Sequence, residues 1–316
     1  MLWIIDIYRT TCLLIALAIL SDIEYPALAK VVLAEIPINV DPLSPNVISF
    51  LDDRLKASVK RKETPIKAII LCNPHNPIPK CYPKETIEGY IALAKKYKIH
   101  LIVDEVFAYT VFPTKDTPNP QPFISVLSLN SYYDVELYDN IHILSGPTKD
   151  LGCSGLKSGI LISRNDKLLE NVRKTMMATP INGITDSSLS ELLSNKERLQ
   201  RLLNKNKVEL TKNMDLCANW CKFHKLPYIG ANAGVYFILD LSPIALKYGY
   251  GADDLAIKLL MKKMISDGVY INPTSLDADP LPCRFRFIVT QRLEILKLAL
   301  ARLEKAFDLD HFEVAV

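Results

Sequence analysis

The sequence is poor in glycine, with 11 Gly against 20 Pro in 316 residues. So few glycines argue against a glycine-rich phosphate-binding loop as the organising motif. An excess of one charge is also lacking, since 38 Lys and Arg against 35 Asp and Glu leave a net charge of +3. No strong basic field therefore favours nucleic acid as a partner. A hydrophobic content of 49% excludes a disordered chain.

Cysteines are few and scattered. Seven of them, an odd number without a dense cluster, do not form the disulfide framework of a small secreted protein. We therefore expect a reduced, cytoplasmic enzyme without a membrane segment. The apolar run at residues 12–20 is only nine residues long, too short to cross a bilayer. It could be the core of a signal peptide, but we favour a buried element.

Short apolar runs in the first half predict buried strands. A helical pattern at residues 83–97 lies between the first two runs, opening on proline and acids and closing on lysines. Strand, helix and strand in this order indicate a parallel α/β sheet. The predicted strands are residues 67–72, 100–103, 141–144 and 158–163.

The second half has a different hydrophobic pattern, which predicts long helices at residues 166–177 and 187–224. Strands at 234–241 and 284–290, a helix near 253–267 and a closing helix to about 307 follow, which predicts a smaller α+β domain. We expect the domains to be residues 1–190 and 191–316, with the change inside the long helix that begins near Ser187.

Polar groups follow three of the predicted strands, where open α/β sheets place their sites. They are Asn73-Pro-His-Asn-Pro77, Asp104-Glu105 and Ser145-Gly-Pro-Thr-Lys149-Asp150. An amide, a carboxylate and a lysine that converge on one crevice suit a pyridine cofactor. The carboxylate keeps the ring nitrogen protonated, the amide binds the ring hydroxyl oxygen, and a lysine with a lowered pKa forms the imine.

These residues lie within longer stretches that resemble a known family, the class I/II aminotransferases. The stretches are AIILCNPHNPIPKCYPKETI, ALAKKYKIHLIVDEVFAYTVF, HILSGPTKDLGCSGLKSGIL, PYIGANAGVYFILDL and GVYINPTS…PCRFRFIV. They follow the family's order from about residue 25 to residue 303 and look most like its 1-aminocyclopropane-1-carboxylate (ACC) synthase-like branch. The resemblance implies a fold type I, pyridoxal 5′-phosphate (PLP) enzyme with a mainly parallel large domain and a smaller C-terminal α+β domain.

The resemblance also implies roles for single residues. Asn76 matches the asparagine that binds the ring hydroxyl, and Asp104 matches the aspartate that pairs with the pyridinium nitrogen. Lys149 matches the lysine that forms the Schiff base and moves the Cα proton. Arg286 matches the arginine that clamps the substrate carboxylate through a bidentate fork.

Three positions depart from the family pattern. Phe107 stands where the family has a tyrosine whose phenol steadies the ring oxygen. Gly146 replaces a serine that binds phosphate, and Lys157 replaces an arginine, which keeps the charge but loses the fork. Family members also carry a long N-terminal section with a phosphate-binding helix start, and the sequence begins after it. We therefore expect weak cofactor binding, tightened by Lys157→Arg.

Simpler interpretations compete with each proposed cofactor or substrate contact. Asp104 could cap a helix, Lys149 could be a solvated surface lysine, and Arg286 could be an outward strand residue between two phenylalanines. The three together favour a site. We expect structural roles for three further polar residues, Asn73, His75 and Glu105.

A metal site needs separate consideration, because Cys217, Cys221 and His224 share one helical face. No cluster of further ligands completes a zinc site, so we predict buried core residues and no metal. Ser145 and Ser154 have no evident His–Asp partners, which disfavours a serine hydrolase.

The predicted function is a PLP-dependent aminotransferase that acts on an amino acid, working as a homodimer. One alternative is ACC synthase-like or C–S lyase elimination in secondary metabolism. Another is a truncated, non-catalytic relative that binds the cofactor weakly.

Overall fold

The structure is a computed structural model that describes residues 11–14, 40–60, 66–134, 139–177, 180–251, 253–274 and 283–313. In this part of the chain, five strands form one sheet whose spatial order follows the sequence. The first four pair in parallel and the fifth is antiparallel to the fourth. The strands are β1 (Thr11–Leu14), β2 (Ile66–Cys72), β3 (His100–Asp104), β4 (Ile141–Ser145) and β5 (Ile160–Ser163). The four strands predicted from the apolar runs are thus confirmed, with small shifts of their ends.

Helices pack against one face of this sheet. Leu101 and Val103 of β3 are fully buried in a cluster with side chains of the first two helices, whereas His100, Ile102 and Asp104 on the other face are half-buried. On β2 and β4, by contrast, consecutive residues that point to opposite faces are buried, such as Ala68 and Ile69, so the predicted burial is found there and is partial on β3. The helices of this half are α1 (Val47–Lys60), α2 (Lys84–Tyr97), α3 (Pro147–Asp150) and α4 (Asp166–Met176).

The long helix predicted from Ser187 is two helices in the structure, α5 (Gly183–Ser194) and α6 (Lys196–Phe223). The break lies at Asn195, whose backbone is extended and whose Oδ1 accepts the N–H of Arg198 at 2.9 Å. Asparagine is a favoured N-cap because its side chain satisfies an N–H that has no partner within the helix. The sequence pattern therefore predicted the helical residues correctly and missed the cap that divides them.

The C-terminal part contains an antiparallel sheet of four described strands. The strands are β6 (Tyr228–Ile229), β7 (Tyr236–Asp240), β8 (Asn272–Pro273) and β9 (Arg284–Ile288), with helices α7 (Ser242–Lys247), α8 (Asp254–Ser266) and α9 (Leu293–Ala306). The strands lie in the order β6-β7-β9-β8. Phe285 and Phe287 of β9 are buried, and Arg286 between them lies on the opposite face, as the alternation predicted.

Buried apolar side chains form two clusters. The first cluster contains residues between Val47 and Ile143, and the second contains residues between Leu210 and Phe307 together with Phe112. Phe112 follows β3 in sequence, so it joins the second cluster from the first half of the chain. The architecture is thus the predicted α/β layer followed by a smaller α+β part. The boundary near residue 190 stays a prediction.

The segment after β3 links the two parts. Thr110 is buried, and its hydroxyl donates to the carbonyl of Phe107 at 2.6 Å and accepts the N–H of Gly234 at 2.8 Å. Two residues further on, the N–H of Phe112 donates to the carbonyl of Asn232 at 3.0 Å. The turn after Asp104 is therefore attached directly to the chain that leads into β7.

None of the described helices combines the length and apolar character needed to span a membrane. The apolar run at residues 12–20 is described only through residue 14, within β1; its remainder lies outside the described residues.

We predict that Thr110→Val lowers the free energy of unfolding by about 1–3 kcal/mol, because it leaves the buried N–H of Gly234 without an acceptor. Chemical denaturation measures this change. Thr114→Val is the matched control, since the Thr114 hydroxyl accepts the N–H of Thr117 in its own turn. Equal losses in both variants would show that the Thr110 hydroxyl does not hold the two parts together.

Candidate functional site

The parallel register brings the predicted polar segments to one edge of the sheet. Cys72 pairs with Asp104, and Asp104 pairs with Leu144 on the next strand. The pairing continues past the strand ends, since the N–H of Asn73 donates to the carbonyl of Asp104 at 2.9 Å. The N–H of Glu105 likewise donates to the carbonyl of Leu144 at 2.8 Å. The three segments therefore leave the sheet side by side.

Asn73 and Glu105 stabilise the loops at this edge. Asn73 is buried, donates to the carbonyl of Ile124 at 3.2 Å and accepts the N–H of Tyr82 at 3.1 Å. The Glu105 carboxylate accepts from the Ser125 hydroxyl at 2.8 Å and from the N–H of Val126 at 2.9 Å. Burial raises the pKa of Glu105, and these two donors act in the opposite direction. Such contacts position the backbone around the site.

His75 lies within the predicted loop and is fully buried. Its Nδ1 accepts the N–H of Ile78 at 3.1 Å, and its carbonyl accepts the hydroxyl of Tyr236 at 3.3 Å. Burial lowers the pKa of His75 to about 3, so the ring is neutral and is not a proton donor at physiological pH. Its contacts fit the structural role expected from the sequence.

Asp104 is half-buried at the end of β3, and its Oδ1 accepts the N–H of Val106 at 3.1 Å. This bond fixes the carboxylate against the turn that follows. The chain therefore sets the position of the Asp104 carboxylate at the edge where the predicted segments meet.

Lys149 lies on the short helix α3, and part of the residue is exposed to solvent while its ammonium group is partly surrounded by protein. Its Nζ is 5.8 Å from the centre of the Phe107 ring. The pKa of Lys149 is lowered, first because surrounding protein desolvates the ammonium group and next because Arg286 is positively charged. Asp104 opposes this effect and Lys157 adds to it. An amine with a lowered pKa is a better nucleophile near neutral pH.

Arg286 and Asn76 come from different halves of the chain and meet at the site. The Nη1 of Arg286 donates to the Oδ1 of Asn76 at 3.2 Å. Because the amide oxygen accepts from Arg286, the amide nitrogen is oriented away from it and can donate elsewhere. The guanidinium also lies 5.4 Å from the centre of the Tyr236 ring, a favourable cation–π distance.

Gly146 and Lys157 occupy the positions predicted to approach a phosphate. A Cβ on Gly146 would lie 3.1 Å from the carbonyl oxygen of Ser158, so a serine there requires a small backbone movement. Lys157 is exposed and has a left-handed backbone, with φ of 49°. Its positive charge contributes to the lowered pKa of Lys149.

Three residues that sequence reasoning did not single out also contribute to the site. Tyr236 is buried against both Arg286 and Phe107, whose ring centre lies 6.0 Å from its own. Asp150 is buried directly after Lys149, and Thr110 links the site turn to β7. Only Asp150 had a signal in the sequence, as a second carboxylate beside the predicted lysine.

The possible metal ligands lie elsewhere. Cys217 and Cys221 are buried in the C-terminal apolar cluster, and His224 is 3.4 Å from a carboxylate oxygen of Glu304. Burial raises the pKa of both thiols. No group of three His, Cys, Asp or Glu side chains among the described residues is placed to hold a metal ion.

The arrangement at the sheet edge joins four kinds of group: a carboxylate, an amide, an amine of lowered pKa and a guanidinium. The amine can attack a carbonyl carbon, and the guanidinium can bind a carboxylate. The remaining carboxylate and amide can hold a protonated ring nitrogen and a ring oxygen. This donor set fits a pyridine cofactor with a carboxylate-bearing substrate.

Comparisons of the sequence with known proteins agree with this chemistry. The family model for aminotransferase class I and II matches residues 28–303. The probable aminotransferase sirI of Leptosphaeria maculans is 27% identical over 288 residues, which cover 90% of this chain and 66% of that protein. The probable inactive 1-aminocyclopropane-1-carboxylate synthase-like protein 2 of Mus musculus is 29% identical over 214 residues, covering 65% and 36%. The chain thus spans from about a third to just under two thirds of these relatives.

Solved structures show the same fold at low sequence identity. A double mutant of Thermus thermophilus aspartate aminotransferase has a TM-score of 0.74 and 18% identity, and the match covers 95% of this chain and 71% of that one. Aspartate aminotransferase from Thermotoga maritima has a TM-score of 0.71 and 20% identity, with coverage of 95% and 70%. The fold type I architecture that the resemblance implied is thereby confirmed.

The charges around Lys149 generate a testable prediction. Arg286→Leu removes a positive charge that lowers the pKa of Lys149, so this pKa should rise and less free amine should be present at mildly alkaline pH. Asp104→Asn removes the opposing charge and should lower the pKa further. Competitive labelling of Lys149 with an amine-reactive reagent, followed by peptide mass spectrometry over a pH series, measures both shifts.

Arg286→Lys is the matched control, because it keeps a positive charge on the same strand. Its Lys149 profile should lie closer to the parent than that of Arg286→Leu. Identical profiles for all four proteins would mean that the site charges do not act on Lys149.

Proposed function

Because the chain belongs to the aminotransferase class I and II family, we propose that it is a PLP-dependent enzyme that acts on an amino acid and transfers its amino group. One observation carries the proposal: the segments of Asn76, Asp104 and Lys149 follow three adjacent parallel strands at one edge of the sheet, where Arg286 donates to Asn76 at 3.2 Å. Relatives named as aminotransferases support the reaction class. Because the chain spans only part of those relatives, the activity of the whole protein is proposed.

Residues at the edge of the first sheet would hold the cofactor. Asp104 would pair with the ring nitrogen, and the amide nitrogen of Asn76 would donate to the ring oxygen. Phe107 would supply an apolar ring beside it, and Lys149 would attach it covalently. Lys157 would bind the phosphate as a single positive charge.

The substrate would be oriented by Arg286. Its guanidinium is already held by Asn76 and by the Tyr236 ring, so little side-chain entropy is lost when a carboxylate binds. A bidentate Arg–carboxylate pair also fixes the plane of the substrate's α-carboxyl group. The amino group of the substrate would then lie toward Lys149.

Bound PLP supplies an electron sink for the electrons of the substrate Cα–H bond. The chain supplies the base: once the amino group of the substrate has replaced Lys149 on the cofactor, the freed Lys149 amine would take the proton from Cα, become an ammonium group and later give that proton back. The direction of its pKa shift suits this role, because lowering the pKa of a lysine increases the fraction of free amine that can act as a base. Asp104 would keep the ring nitrogen protonated throughout.

Two alternatives have specific support. Relatives named 1-aminocyclopropane-1-carboxylate synthases favour elimination in place of amino transfer. The changes at Phe107, Gly146 and Lys157, together with relatives named as probably inactive, favour a non-catalytic protein with weak cofactor binding. The second alternative expects PLP to bind more tightly to Lys157→Arg than to the parent, because arginine restores the bidentate fork.

We propose a cytoplasmic location, because seven cysteines scattered along the chain are not typical of a secreted disulfide framework. We also propose a division into domains near residue 190.

Assembly as a homodimer is a further proposal. Support for the dimer comes from a run of exposed apolar side chains around α5, where Met177 is 83% and Ile184 is 81% exposed. Patches of this kind in soluble proteins are commonly covered by a partner.

We predict that light scattering finds twice the chain mass and that Ile184→Asp shifts the protein toward monomer. A charge at this position would have to be buried unpaired in the interface. Val59→Asp is the matched control, because Val59 is also exposed, at 67%, but lies on α1. A monomeric parent, or equal dissociation of both variants, would contradict this interface.

Lys149→Ala tests the function most directly. After incubation with PLP and borohydride reduction, intact-mass measurement should show an adduct on the parent and none on the variant. Lys98→Ala, which removes a lysine at the far end of α2, is the control and should keep the adduct. An adduct that survives in Lys149→Ala would overturn the assignment of Lys149.

A further inference from the structure

Asp150 is a buried carboxylate that the proposed reaction does not use. It ends α3, the helix of only four residues that carries Lys149, and it is 6% exposed. One helical turn does not hold its own conformation in water, because nucleating a helix costs more than its first hydrogen bonds return. The direction in which Lys149 points must therefore depend on contacts between α3 and the rest of the protein.

The side chain of Asp150 provides such a contact. Its Oδ1 accepts the backbone N–H of Tyr109 at 2.9 Å, across 41 residues of sequence. Tyr109 belongs to the turn that begins at Asp104 and contains Phe107. The bond thus connects the helix of the proposed Schiff-base lysine with the turn of the proposed ring-nitrogen partner.

That turn is itself held firmly. Val106 donates to the Asp104 carboxylate, the N–H of Ala108 donates to the carbonyl of Glu105, and the Thr110 hydroxyl accepts the N–H of Gly234. The position of the turn is therefore well defined, and the hydrogen bond from Tyr109 to Asp150 holds α3 in a defined position relative to the turn.

The electrostatic setting makes a carboxylate costly at this place. Burial raises the pKa of Asp150 to about 7; the Tyr109 N–H and Lys207 oppose this rise, and the charge of Asp104 adds to it. A polar group in such surroundings is retained only when its hydrogen bond compensates for lost solvation. The acceptor atom, more than the charge, is what this position supplies.

We propose that Asp150 is the positioning residue of Lys149, fixing α3 against the turn of Asp104 and Phe107 through the N–H of Tyr109. This inference rests on the proposed role of Lys149. It assigns to Asp150 no contact with cofactor or substrate.

Two substitutions separate the acceptor from the charge. Asp150→Asn keeps an oxygen that can accept from Tyr109, whereas Asp150→Ala removes it. Asp253→Ala is the matched control, since the Asp253 carboxylate also accepts a backbone N–H at 2.9 Å, but at the start of α8. If Asp150→Ala does not fold by circular dichroism, Asp150→Ser, whose side chain is too short to reach Tyr109, takes its place.

The first measurement uses the protein without added PLP. Competitive labelling gives the pH profile of the Lys149 amine. In Asp150→Ala the pKa of Lys149 should rise relative to the parent, because Lys149 leaves the surroundings that lower it. Asp150→Asn and Asp253→Ala should keep the parent profile.

The second measurement is the rate of the borohydride-trapped PLP adduct. Misplacement of a reacting group by about 1 Å costs up to about a hundredfold in rate, so Asp150→Ala should form the adduct about ten- to a hundredfold more slowly. A parent profile and rate in Asp150→Ala would overturn the proposal. So would equal damage in Asp150→Asn, which would make the charge decisive. Absence of any adduct on the parent chain would instead contradict the proposed function.

Discussion

The in-register parallel pairing of β2, β3 and β4 is the constraint on which the rest of the site depends. Since Cys72, Asp104 and Leu144 lie next to one another, the residues that follow them must leave the sheet at one edge. The backbone hydrogen bonds continue one residue beyond the strands, so the first part of each loop is also fixed. Side chains far apart in sequence are thereby brought to the same edge of the sheet.

The second constraint is the connection between the two parts of the chain. Arg286 lies on the antiparallel sheet, yet it is hydrogen-bonded to Asn76 at the edge of the parallel sheet. Tyr236 strengthens this junction, because its ring faces Arg286 and its hydroxyl reaches the backbone of His75. A substrate carboxylate held by Arg286 would therefore be positioned by both sheets at once, which explains why the site needs both.

Much of this architecture could be predicted from the sequence, because short apolar runs and helical periodicity are local signals. The strands around Asp104, the alternation at Arg286 and the family resemblance all depend on residues close together in the chain. The break at Asn195 had a signal too, since asparagine favours N-caps, but the surrounding helical pattern concealed it.

Contacts between distant segments could not be predicted in this way. Thr110 has no neighbour in sequence that reveals its bond to Gly234, and burial of Asp150 against Tyr109 depends on how two loops pack. Tyr236 looked like one more apolar residue of a buried strand. Propensity and spacing describe the elements well, whereas the side chains that fix one element against another follow only from the tertiary structure.

The bond between Thr110 and Gly234 has a consequence for the dynamics of the chain. Gly234 precedes β7 and has a left-handed backbone, with φ of 79°, and its N–H bonds to a side chain from the other part of the molecule. Hydrogen exchange at this amide therefore requires the two parts to separate locally, whereas amides within β7 exchange only when their own sheet opens. We therefore expect exchange of this single backbone proton to report separation of the two parts, apart from unfolding of either sheet.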